Sequence, residues 1–278
     1  MKKWGIITDS SCDLTIENSE NSQIHFANVP FKMNIGTREY IDNDELKLGA
    51  MIDDMETAPE ICKTSCPSPA SWLEHYEQCD YNIAIAISSR LSGSYASACA
   101  AKQMFLEAHP KKEVFVLDSA SAGSALSMCL EKAKELIESG ADFSDVTAKL
   151  KEYKNSLHTI FALCSFKNLV KNGRMSRFSG FIAGTLGIWG IGIDKEGEIA
   201  VKAKVRGPAR VLNAFIDDMV ENGFAGGKVT ITHCQNEDLA QKLKARVLDK
   251  WSNSDITVLP AKGLCSFYAE RRGLIVAY

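Results

Sequence analysis

The stretch that most limits the possible folds is 81–108. Tyr-Asn-Ile-Ala-Ile-Ala-Ile over 81–87 is an apolar run of strand length, Ser88 to Ser94 follow as a small polar turn, and Tyr95–Ala108 has helical composition and stops before Pro110. The same pattern of strand, hydroxyl-bearing turn and helix recurs on either side. Trp4–Thr8 is a short apolar run ending in Asp9-Ser10-Ser11. Val114–Leu117 ends in Asp118-Ser119, and Ser127–Glu138 then reads as a helix with apolar Leu130, Ala133, Leu136 and Ile137 and a Ser139-Gly140 stop. Gln23–Met33 reads as extended, with Pro30 placing it at a sheet edge or a bulge. Units repeated in this way predict a parallel sheet covered by helices.

The pattern changes near residue 155. Thr159–Cys164 reads as a strand and Phe166–Asn172 as a short helix ending at Gly173. Ile188–Ile193 and Glu198–Val205 read as strands joined by a hairpin-like turn, Asp194-Lys195-Glu196-Gly197. A helix follows Pro208, Lys228–Thr232 is a strand, and Asn236–Trp251 is an amphipathic helix with Asn236 as its N-cap. Ile256–Leu259 and Leu274–Ala277 close the chain as strands. Hairpins mixed with strand–helix units predict a mixed sheet. For 278 residues the expectation is therefore an α/β protein of two domains, 1–155 with a helix-covered parallel sheet and 156–278 with a mixed sheet and helices. Phe178–Ile193 carries no charge and holds five glycines; it is too short for a membrane span and reads as packed core or as the wall of an apolar cavity.

Several function classes drop out. Lys plus Arg total 32 against 35 for Asp plus Glu, which gives no basic excess for nucleic acid. Asp9 ends the first apolar run before it reaches the length of a signal-peptide core. Nine cysteines, most set singly in apolar stretches, read as free thiols in a reducing cytoplasm rather than a disulfide framework. Cys62 and Cys66 form a CxxxC with no second pair or nearby histidine, so no metal site is expected. The five histidines (25, 75, 109, 158 and 233) fall in no HExxH or GxSxG-linked pattern. There is no GxxxxGK[ST] loop, and Gly190-Ile191-Gly192 lacks the third glycine of a dinucleotide fingerprint, so no nucleotide cofactor is expected. What remains are hydroxyl-rich turns: Lys63-Thr64-Ser65-Cys66-Pro67-Ser68-Pro69, Ser88 to Ser94, and Asn172-Gly173-Arg174-Met175-Ser176. Hydroxyl donors and one arginine can hold a carboxylate or phosphate, while the same residues also serve as helix caps and turns.

Taken in order, these segments resemble the DegV family of bacterial proteins. Ile7-Thr8-Asp9-Ser10-Ser11-Cys12-Asp13-Leu14 is similar to the family's TDSxxDL opening, and Thr64-Ser65-Cys66-Pro67-Ser68-Pro69 to its TSQPSP loop. Ile87-Ser88-Ser89-Arg90-Leu91-Ser92-Gly93-Ser94-Tyr95 resembles ISSxLSGTY, Asp118-Ser119-Ala120-Ser121 the DSxxxS strand end, and Leu169-Val170-Lys171-Asn172-Gly173-Arg174-Met175-Ser176 the LxKGGRIS turn. The likeness continues through Lys204-Val205-Arg206-Gly207 and Ile231-Thr232-His233-Cys234-Gln235-Asn236.

The resemblance implies a long-chain fatty acid bound in a cleft between two α/β domains, as ligand rather than cofactor, with Thr64 and Ser92 holding its carboxylate. Ser65, Gly93, Arg174 and Tyr268 are implied as further contacts to the head group. It also implies a role as the acyl-carrying, non-catalytic partner of an ATP-dependent fatty acid kinase subunit. One region departs from the family. Where members carry THTGPGxLG, this chain has Ser266-Phe267-Tyr268-Ala269-Glu270-Arg271-Arg272-Gly273-Leu274, and Tyr268 falls at the histidine. Tyrosine donates a hydrogen bond but does not titrate near neutrality. The residues themselves leave two alternatives open: a hydrolase using Asp9, Ser10, Asp118 and Ser119 at strand ends, and a regulatory protein that senses a small acid in the same cleft.

Overall fold

The structure, a computed structural model, describes residues 2–18, 22–58, 61–175 and 187–278. Part of the uncharged glycine-rich segment, and Ser176 of the arginine turn, lie outside the described residues. In chain order the strands are β1 (Lys2–Asp9), β2 (Ile24–Val29), β3 (Lys32–Ile35), β4 (Arg38–Ile41), β5 (Lys63–Ser65), β6 (Cys79–Ala86), β7 (Glu113–Asp118), β8 (Thr159–Leu163), β9 (Ile188–Lys195), β10 (Glu198–Arg206), β11 (Lys228–His233), β12 (Asp255–Pro260) and β13 (Leu274–Ala277). The helices are α1 (Leu48–Thr57), α2 (Pro69–Tyr76), α3 (Ser94–Ala108), α4 (Ser124–Glu138), α5 (Phe143–Ser156), α6 (Lys167–Lys171), α7 (Pro208–Glu221), α8 (Glu237–Lys250) and α9 (Gly263–Ala269).

The first sheet runs β2-β1-β6-β7, all parallel. Its two faces follow from alternation along β6. Ile83 and Ile85 pack under α4 and α5 with Leu126, Leu130 and Leu150. Ala84 and Ala86 face the other way, and their small side chains leave room for Trp72, Tyr76 and Phe105 of α2 and α3. The second sheet runs β10-β9-β8-β13-β11-β12 and is antiparallel except for the β11–β12 pair. One of its faces carries Ile160, Ala162, Trp189 and Ile191 and is covered by α7 and α8 through Val211, Phe215, Leu243 and Val247. Trp189 and Ile191 are thus core, which settles the described part of the glycine-rich segment. Among the described residues, no helix is long and apolar enough to cross a membrane.

A third sheet, β4-β3-β5, is antiparallel, and the sequence pattern does not announce it. Pro30 separates two strands of different sheets rather than marking one long strand. β2 ends at Val29 as an edge of the parallel sheet, and β3 begins at Lys32 in the third. Lys63–Ser65, read above as part of a turn, is a strand paired with β3. Asn236 precedes α8, but its side chain does not cap the helix; it donates instead to the Arg272 carbonyl at 2.7 Å.

Helix α9 ties the two halves together. Its first backbone N–H groups are met by carboxylates from far upstream. Asp42 accepts from Gly263 N at 2.7 Å and Leu264 N at 2.8 Å, and Asp13 accepts from Lys262 N at 2.8 Å. A Cβ at Gly263 would stand 2.5 Å from Asp42 Oδ1, so only glycine lets the carboxylate approach this closely.

Candidate functional site

Between the three sheets lies an apolar cavity with about 840 Å³ of empty space, counting the part open to solvent. The uncovered face of β8 lines it through Thr159, Phe161 and Leu163, opposite Phe31, Ile87 and Leu264. Four polar side chains of the same lining come from four separate segments: Thr64 of β5, Ser92 of the turn before α3, Arg174 after α6, and Tyr268 of α9.

Each is held by its own element. Thr64 pairs with buried Met33 across β3–β5, which turns its hydroxyl toward α9. Thr64 Oγ1 and Tyr268 Oη are 2.8 Å apart. Burial raises the Tyr268 pKa, while the Thr64 hydrogen bond and the nearby Arg174 charge pull it down; the net direction is upward. The phenol therefore keeps its proton through the neutral range and remains a donor.

Ser92 depends on a fully buried carboxylate. Asp9 accepts from Ile87 N at 3.0 Å and Ser94 Oγ at 2.7 Å through one oxygen, and from the backbone and hydroxyl of Ser11 through the other. This joins the ends of β1 and β6 to the start of α3. Ser92 Oγ accepts from Ser94 N at 3.2 Å, which leaves its proton to donate. Arg174 follows Gly173, whose φ of 71° suits glycine. Its Nε donates to the Leu91 carbonyl at 3.0 Å and its Nη1 to the Asn172 carbonyl. The guanidinium is thereby fixed beside the Ser92 turn.

Two of the implied contacts lie elsewhere. Ser65 follows Thr64 in a strand, so its side chain takes the opposite face; it is exposed and off the cavity lining. Gly93 is exposed too, at the N-cap of α3, and does not line the cavity. The strand-end residues considered for a hydrolase are occupied with the backbone. Ser10 Oγ accepts from Phe31 N, Asp118 accepts from Ser89 N and Ala120 N, and Ser119 donates to the Ser121 carbonyl. Asp9 and Ser10 are fully buried and neither lines the cavity.

The cavity wall itself is not legible in the sequence. β8 is apolar on both faces, and nothing in Thr-Ile-Phe-Ala-Leu says which face meets a helix and which a cavity.

Residues 3–277 match the model of the DegV family, whose members are termed uncharacterised. A DegV domain-containing protein of Streptococcus pneumoniae is 35% identical over 276 residues, covering 99% of this chain and 98% of its own. One from Streptococcus gordonii is 34% identical over the same length and shares. Among solved structures, the Streptococcus pneumoniae Fatty Acid Kinase B3 protein loaded with linoleic acid superposes with a TM-score of 0.96 at 34% identity, covering 99% of each chain. A DegV family protein from Eubacterium eligens loaded with heptadecanoic acid gives 0.93 at 32% identity, covering 99% of this chain and 98% of that one.

Proposed function

The chain belongs to the DegV family, and from that premise we propose that it binds one long-chain fatty acid, its tail in the apolar cavity and its carboxylate on Thr64 and Ser92. The observation that carries this reading is the make-up of the cavity: apolar walls, with hydroxyl donors and one fixed arginine gathered at one place. Neutral donors with an adjacent guanidinium bind a carboxylate without reacting with it. The likeness to chains loaded with linoleic and heptadecanoic acids supports the same ligand class.

Organic extraction of folded, purified protein expressed in bacteria, followed by mass spectrometry, should release close to one long-chain fatty acid per chain. Extracts that stay empty overturn the reading. Thr64→Val or Ser92→Ala removes one neutral donor from a charged group, which costs about 1.5–3 kcal/mol, roughly tenfold to a hundredfold in affinity. Unchanged affinity in either variant takes that residue out of the clamp.

The finer role is presentation of the bound carboxylate to a separate, ATP-dependent fatty acid kinase subunit in the cytoplasm. The likeness to the kinase B3 protein supports it, and nine cysteines as free thiols suit a reducing compartment. With ATP and magnesium alone the chain should make no acyl phosphate, since its sequence has no phosphate-cradling loop. Combined with a competent kinase subunit, Arg174→Ala should lower turnover more than it lowers lipid affinity, because the hydroxyl clamp remains while the charge developing in transfer loses its counterion. Acyl phosphate formed by the chain alone overturns the non-catalytic reading, and absence of transfer with the kinase subunit leaves binding without presentation.

A further inference from the structure

Helix α9, which carries Tyr268, ends at a residue whose backbone suits glycine. Glu270 stands at its C-cap with a φ of 54°, in the left-handed region that strains any residue with a side chain. Helix ends of this kind take glycine or asparagine by preference. A half-buried glutamate held there against that preference makes the partners of its carboxylate informative.

Those partners lie at the start of α6. Glu270 Oε1 accepts from Ser165 Oγ at 2.9 Å and from Asn168 N at 3.3 Å, while Ser165 Oγ itself accepts from Lys167 N at 3.0 Å. Asn168 Nδ2 adds a bond to the Phe267 carbonyl at 2.9 Å. Two side chains thus fasten the first turn of α6 to the end of α9. A helix of five residues needs such anchors, being too short to hold its shape alone.

From that first turn a continuous path of hydrogen bonds leads to the guanidinium. The Asn168 carbonyl accepts from Asn172 N and from Asn172 Nδ2, both at 3.0 Å. The Leu169 carbonyl accepts from Arg174 N at 2.9 Å, and the Asn172 carbonyl from Arg174 Nη1. Asn172 Nδ2 also donates to the Cys62 carbonyl at 3.0 Å, two residues before Thr64. Arg174 lines the cavity, whereas Glu270 does not.

We propose that Glu270 is a positioning residue, which sets α6, and through α6 the Arg174 guanidinium, beside the Ser92 turn. Its effect on ligand affinity rests on the fatty acid reading; its effect on the order of Arg174 does not. A guanidinium that has to be ordered at the moment of binding, rather than beforehand, lowers affinity by roughly twofold to tenfold.

Two variants of the full-length protein test this. Glu270→Gly removes the acceptor, and glycine takes this φ without strain, so the lost side chain is not compounded by a strained backbone. Glu270→Gln keeps an oxygen where Oε1 stands. With arginine nitrogen isotope-labelled, the Arg174 Nε–H signal is identified by its absence from Arg174→Ala. Its heteronuclear NOE should match ordered backbone in the wild type and in Glu270→Gln, and fall toward that of a free side chain in Glu270→Gly. Delipidated Glu270→Gly should bind linoleic acid roughly twofold to tenfold weaker than the wild type, and Glu270→Gln should bind it as the wild type does. In an Arg174→Ala background, Glu270→Gly should weaken binding no further.

An Arg174 signal that stays ordered in Glu270→Gly overturns the proposal. So does an equal loss of affinity with and without Arg174, which marks a general disturbance of α9, and so does failure of Glu270→Gln to restore the ordered signal. The two readings fail separately. A wild type that binds no acid overturns the fatty acid reading, and the Arg174 signal then decides the role of Glu270 by itself.

Discussion

Asp9→Ala should lower the free energy of unfolding by about 3–5 kcal/mol and release the bound acid. Four donors converge on this fully buried carboxylate: the Ser11 and Ile87 backbone N–H groups and the Ser11 and Ser94 hydroxyls. Each buried donor left without a partner costs about 1–3 kcal/mol, and the total is reduced by no longer having to bury a charge. That burial cost is real, since desolvation is the largest influence on Asp9 and pushes its pKa upward against the opposing hydrogen bonds. Asn is a poor substitute because its amide nitrogen would face donors. Asp118 is a useful control. It accepts two backbone N–H bonds at a neighbouring strand end, from Ser89 and Ala120, but is only half-buried, so water can replace what Asp118→Ala removes. Denaturant unfolding of the two variants should separate them by at least about 2 kcal/mol. If Asp9→Ala unfolds within about 1 kcal/mol of wild type, the carboxylate does not organise the Ser92 turn.

That buried aspartate shows what a sequence can and cannot disclose. The strand before it, and the strand–turn–helix pattern around it, are legible because β6 alternates isoleucine and alanine and its neighbours repeat the unit. Packing of this kind is written locally, so the parallel sheet and most of the mixed sheet can be read from the chain. The third sheet cannot. β3 and β4 have four residues each and β5 has three, too few for periodicity to register. Met33 and Ile35, the inner residues of β3, belong to one core cluster with Met51 and Phe267 from distant segments. α9 escapes notice for a related reason. Nearly all its residues are buried, so Gly-Leu-Cys-Ser-Phe-Tyr-Ala has no polar face, and Asp13 and Asp42 cap it from more than two hundred positions away. The same distance hides the Thr64–Tyr268 contact, whose partners are separated by 204 positions. Motif likeness picked out Thr64, Ser92, Arg174 and Tyr268, and the structure brings all four to one cavity. Ser65 and Gly93 were adjacent in sequence to residues that line it, but strand alternation and the start of α3 direct them elsewhere.

Gly192→Val should lower fatty acid affinity by roughly a hundredfold or more, about 3 kcal/mol, without removing a single polar group. Gly192 lies directly across from Phe161 in the β8–β9 pair, and the Phe161 ring lies over it. A Cβ at this position would stand 2.2 Å from two ring carbons and 3.1 Å from the Ala200 carbonyl. That contact is far inside van der Waals range, so the ring or the strand must give way. The strand is held on both sides, by β8 and by β10, whereas the ring borders the cavity. The open space lies on the cavity side, and the ring swings into it. Phe161 is midway along the lining face of β8, so the displaced ring crosses the path of the acyl chain. Strain from overpacking adds about 1–3 kcal/mol of lost stability. The glycine that, with Gly190, suggests half a dinucleotide fingerprint is thus kept free of a side chain so that an aromatic ring can lie flat against the sheet. Shortening the ring separates blockage from general damage. Gly192→Val combined with Phe161→Ala should regain most of the affinity, because the added methyl groups then occupy the space the ring has left. If the double variant binds no better than Gly192→Val while remaining folded by thermal melting, the loss comes from a distorted sheet and not from the ring closing the channel.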